Sequence, residues 1–132
     1  TLPGPPSDTI SADFKERANA LWTANGGEEL TSWAYSTESY DAVVLLALAA
    51  LAAGSSDSAE MAAKMSEVSG FTGGGTKCAS FAECAEIING GGVADYDGLS
   101  GGIALNEAGD PTETAIGIYE FDADNRPQTY QG

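Results

Sequence analysis

The chain contains no histidine, so the commonest general base and transition-metal ligand is missing, and any chemistry must come from carboxylates, hydroxyls and two cysteines. Cys78 and Cys84 bracket residues 79–83. A chain bending into a helix at Ser80 can bring their α-carbons within the roughly 4.4–6.8 Å that a disulfide spans. With two cysteines in all, one bridge closing a small loop is favoured over two reduced thiols, and it points to an oxidising compartment. Two cysteines without histidine cannot close a tetrahedral zinc site, and the spacing is not the Cys-x-x-Cys of redox enzymes.

The oxygen-bearing clusters are Asp95-Tyr96-Asp97-Gly98, Asn106-Glu107-Ala108-Gly109-Asp110 and Asp122-Ala123-Asp124-Asn125. Calcium would use such groups, but the last cluster lacks the glycine and the closing glutamate of an EF-hand loop. Asx and Gly are what turns require, so all three read as turns. Paired carboxylates at Asp95 and Asp97 could do acid–base work, yet no nucleophile or pocket accompanies them. Ser36, Thr37 and Ser39 have no histidine or lysine close in sequence to activate them. The glycine-rich stretch 70–75 lacks the Gly-Lys-Ser/Thr ending of a phosphate loop. No enzyme activity, metal or cofactor is expected.

The balance of charge narrows the partners. Against 20 acidic residues stand 5 basic ones, a net charge of −15, which argues against nucleic acid and against anionic membrane surfaces. An apolar fraction of 42% is that of an ordinary globular chain, and 132 residues suffice for one core. No segment reaches the roughly 18 to 20 apolar residues needed to span a bilayer. The start at Thr1, without Met or a signal-like segment, suggests a processed, recombinant or fragmentary chain.

The elements that must position these groups follow from capping signals and periodicity. Pro3, Pro5 and Pro6 keep the first residues extended. Ser11 caps a helix that carries Phe14, Ala18, Leu21 and Trp22 at helical spacing and stops at Gly26-Gly27. Residues 28–35 connect, with Trp33 and Tyr35 alternating in a short extended piece. The segment 36–54 is the most hydrophobic helix, with an unbroken apolar run over 42–53. Being apolar all round, it is expected to be buried on most of its circumference. Asp57-Ser58-Ala59-Glu60 opens a third helix to Val68 with Met61, Met65 and Val68 on its core face, and Ser80-Phe81-Ala82-Glu83 opens a fourth to Ile88. Strands are expected at 103–105 and 114–121, joined as a hairpin by the Asn/Gly/Asp turn, with a last short strand at 128–130. Four helices followed by so little sheet leave the 36–54 helix short of cover.

Taken in order, Tyr40-Asp41-Ala42 opening the apolar helix, Gly54-Ser55-Ser56-Asp57 after it, Tyr96-Asp97-Gly98-Leu99-Ser100-Gly101-Gly102-Ile103, Asn106-Glu107-Ala108-Gly109-Asp110-Pro111 and Gly117-Ile118-Tyr119 resemble a known family. The chain resembles the C-terminal part of type I periplasmic (extracytoplasmic) solute-binding proteins of the branched-chain amino-acid ABC-transporter class, which are Leu/Ile/Val-binding-protein-like. The likeness runs from about residue 3 to residue 130, and the cysteine pair fits Gram-positive, lipoprotein-type members.

The resemblance implies an α/β chain that is a fragment of a two-lobed fold, here mostly helices followed by a C-terminal β-hairpin. It implies that 1–35 supplies a second-lobe helix and the return crossover, 36–92 first-lobe helices with the cysteine pair, and 93–132 the hairpin and tail. The missing cover would then be a parallel sheet encoded upstream. It implies a substrate-binding component of an ABC importer that captures an amino acid or related small polar solute and docks on a membrane permease as the full-length protein. An extracytoplasmic place, periplasmic or as a cell-surface lipoprotein, goes with it. By position in the family, Tyr35 would face the ligand, with Trp33 the next candidate for the same cleft. Pattern alone makes Tyr35 a core or lobe-interface aromatic, and Tyr40 reads as packing at the helix start. The alternative from a different class is an autonomous extracellular interaction module, calcium-stabilised and self-associating as a homodimer through the apolar helix.

Overall fold

The protein is a small α/β chain. Its structure, a computed structural model, describes residues 2–3, 9–113 and 116–129. In order come β1 (Leu2–Pro3), α1 (Ala12–Ala24), α2 (Ser36–Ala53), α3 (Ser58–Val68), β2 (Thr76–Cys78), α4 (Phe81–Asn89), β3 (Ala94–Gly98), β4 (Gly101–Gly102), β5 (Ile116–Gly117), β6 (Tyr119–Phe121) and β7 (Pro127–Thr129). Pro5, Pro6, Thr114 and Tyr130, which enter the sequence reading, lie outside the described residues. The chain divides into two compact units, one of Thr1–Thr37 with Ala115–Gly132 and one of Glu38–Thr114.

The caps read from sequence are in place. Ser11 Oγ accepts from Phe14 N at the start of α1. Asp57 Oδ1 accepts from Ala59 N and Glu60 N at the start of α3. Ser80 Oγ accepts from Glu83 N, while the Glu83 carboxylate reaches back to Ala79 N, so two otherwise orphaned donors at the start of α4 are satisfied. Gly54, at φ 62, ends α2 in the left-handed region that glycine occupies without strain.

The 38–114 unit holds the core. Val44, Leu45, Leu48 and Ala49 of α2 meet Val68 of α3, Cys78 of β2, Cys84 of α4, and Ala94 and Tyr96 of β3. Met61, Met65, Ile87, Ile88, Ile103 and Leu105 pack around them, half-buried. The sheet is mixed, in the order β2-β3-β4. β2 runs parallel to β3, with Thr76 opposite Ala94 and Cys78 opposite Tyr96, while β3 and β4 form an antiparallel hairpin. A parallel pair needs a crossover, and α4 provides it. Ser69 Oγ accepts from Leu105 N and Ser66 Oγ donates to Asn106 O, so the end of α3 fixes the segment that leaves the sheet.

In the terminal unit, Phe14 of α1 is buried and packs edge-on against Trp33, and Leu30 N donates to Asn19 Oδ1, fastening the connection back onto α1. β1 pairs antiparallel with β5, and β6 with β7.

Four expectations are corrected. The residues 103–105 form no strand but a single bridge, Leu105 to Pro111, and the C-terminal hairpin is β6–β7, one turn later, closed by Asp122, whose carboxylate accepts from Asp124 N and Arg126 N. Asp95-Tyr96-Asp97 is a strand rather than a turn, because Tyr96 points into the core while its two aspartates share the opposite face. Residues 28–35 contain no strand; Tyr35 sits in a turn at φ 62. Finally, α2 is not buried on most of its circumference. Its 18 residues make it long and apolar enough, by length and composition, to cross a bilayer, contrary to the sequence expectation. One stripe, Asp41-Val44-Leu45-Leu48-Ala49, is instead the centre of a folded core, and the other face, with Ala42, Val43, Leu46 and Ala47, is exposed.

Candidate functional site

The densest polar arrangement lies where α2 meets the β3–β4 hairpin. Asp41 falls on the inner stripe of α2, one turn before Val44 and Leu45, so the helix carries its carboxylate into the core. A buried carboxylate is costly unless its oxygens are hydrogen-bonded. Here Oδ1 accepts from the Tyr96 hydroxyl at 2.7 Å and from Leu99 N at 3.0 Å, and Oδ2 accepts from Ser100 N at 2.7 Å and Ser100 Oγ at 2.6 Å. Four donors match the capacity of one carboxylate.

The sequence of the hairpin explains why it needs this partner. Gly98 pairs with Gly101, leaving Leu99-Ser100 as the turn. Two-residue hairpin loops favour Asn-Gly or Gly-X, whose backbone twist suits the strands. Leu-Ser lacks that preference, and the carboxylate of Asp41 holds both its N–H groups. Gly98 is required beside it, since a Cβ there would fall on the Asp41 carboxylate. Burial first, and the hydrogen bond to Asp41 second, push the Tyr96 hydroxyl pKa up, so it stays a donor. The arrangement has no open oxygen to offer a substrate; it fastens α2 to the hairpin.

On the opposite face of β3, Lys77 Nζ lies 3.2 Å from Asp95 and 2.8 Å from Asp97. Lys77 stands opposite Asp95 across the parallel pair, which sets this geometry. The Asp97 hydrogen bond first, and that of Asp95 next, raise the Lys77 pKa. The two aspartates are thus an ion-paired strand face. Among the described residues, no group of three or more carboxylates and cysteines is placed to hold a metal ion. The Asn106 and Asp122 side chains accept from nearby N–H groups of their own turns.

Cys78 and Cys84 form a disulfide with α-carbons 5.4 Å apart, joining the end of β2 to the first turn of α4. Both sulfurs belong to the core.

Within the terminal unit, Trp33 is half-buried, 6.3 Å from Phe14 centroid to centroid and with Lys15 Nζ 6.0 Å from its ring. Ser36 N and Oγ both donate to Trp33 O, closing the turn that holds Tyr35. Tyr35 adopts φ 62, a conformation uncommon for a bulky residue, and leaves its side chain 48% exposed. The Tyr35 ring is thus about half exposed, and Trp33 packs edge-on against Phe14. Tyr40, read as packing at the start of the helix, lies in the N-terminal part of α2 and is 40% exposed.

The Asp41–Tyr96–Ser100 constellation escaped sequence reasoning, although each residue stands in a motif quoted above. The available signal was an aspartate on the same helical stripe as Val44, Leu45 and Leu48, which must find donors wherever that stripe is buried.

Compared with known proteins, the chain matches no family model, no curated protein and no solved structure.

Proposed function

We propose that this chain is the C-terminal part of a two-lobed solute-binding protein of an ABC importer, of the type I, branched-chain amino-acid class. In that role it captures an amino acid or a related small polar solute by closure of two lobes and delivers it to a membrane permease. The observation that carries the proposal is the Asp41 constellation. The two motifs on which the resemblance chiefly rests, Tyr40-Asp41-Ala42 and Tyr96 to Gly102, are bonded to each other across 55 to 59 residues. Residues so dependent on one another form one structural unit, which supports reading the two motifs together. The exposed outer face of α2 adds support, because a sheet encoded upstream would cover it. The Cys78–Cys84 bridge suits an extracytoplasmic place.

In this proposal Tyr35 packs its ring on the ligand, and Trp33, which packs on Phe14, is the next candidate for the same cleft. The test is calorimetric titration of branched-chain and other amino acids into the polypeptide encoded by the complete reading frame. Binding is expected, and Tyr35→Ala is expected to weaken it on the order of tenfold or more. No binding of any amino acid, or full affinity in the variant, would overturn the assignment of ligand class or of Tyr35 respectively.

The second proposal, a self-associating extracellular module, draws on the same exposed face, where Val43 is 66% and Leu46 49% exposed. Sedimentation of the 132-residue chain separates the two. A concentration-dependent dimer abolished by Leu46→Glu, with a calcium-dependent melting shift, supports the module, and a monomer indifferent to calcium opposes it.

A further inference from the structure

We draw no further inference here: the strongest candidate, the exposed apolar face of α2 formed by Ala42, Val43, Leu46 and Ala47, has nothing in the structure to show what covers it.

Discussion

The two faces of α2 are built from the same residue types and meet opposite fates. Leu48 and Ala49 have no exposure at all, while Leu46 and Val43, on neighbouring positions, stay largely open. Composition alone does not distinguish them; the inner stripe packs on α3, α4 and the sheet, and it also carries Asp41. Its carboxylate accepts four hydrogen bonds from Tyr96, Leu99 and Ser100, which fasten that stripe of the helix to β3 and its hairpin. A polar residue thus anchors the buried face of the most hydrophobic element.

The largest effect should come from breaking that constellation. Asp41→Ala strands the buried Tyr96 hydroxyl and three part-buried donors of the hairpin turn, each costing up to about 1–3 kcal/mol, and a loss of about 4 kcal/mol or more is expected by urea unfolding. A loss below about 1 kcal/mol would mean that the hairpin re-satisfies its donors with water. Leu48→Ala, on the inner face, should cost about 3 kcal/mol through lost burial and a residual cavity. Reduction of Cys78–Cys84, which closes a loop with a sequence separation of 6, should cost about 2 kcal/mol, read as a fall in Tm with dithiothreitol.

Lys77 sharpens the contrast between the buried carboxylate and the ion-paired strand face. Its pKa is raised on folding, so the folded chain holds the proton more tightly than the unfolded one. The resulting stabilisation is complete below the ordinary lysine value of 10.5 and is lost as pH rises through the folded value. Accordingly, the Tm difference between wild type and Lys77→Met should hold from pH 7 to about pH 10 and shrink above it. A difference that grows in alkali would contradict the ion pairing. The smallest effect is expected on the outer face, where Leu46→Ala should change stability by no more than about 0.5 kcal/mol. Should it cost as much as Leu48→Ala, the two faces are not distinct.

Much of this was legible in the sequence where local chemistry decides it. Ser11, Asp57 and Ser80 announce three helices because a cap needs only its own first turn. The disulfide was legible because two cysteines leave one pairing. The strands β2 and β3 were not, because Lys77, Asp95 and Asp97 look like solvent residues until a parallel partner makes them an ion-paired face. The hairpin was misplaced because Ile103 and Leu105 carry a strand-like alternation that packing against the core explains equally well. Of the candidate site, Tyr35 was named by resemblance. Its left-handed backbone depends on the two Ser36 hydrogen bonds to Trp33 O, which no residue pattern displays.

The central claim, that this chain works as one part of a two-lobed binder, is tested most directly by titrating leucine, isoleucine and valine calorimetrically into two samples. One is the 132-residue chain and the other is the polypeptide of the complete reading frame. Saturable heat from the second alone is the predicted result; tight binding by the 132-residue chain itself would contradict it.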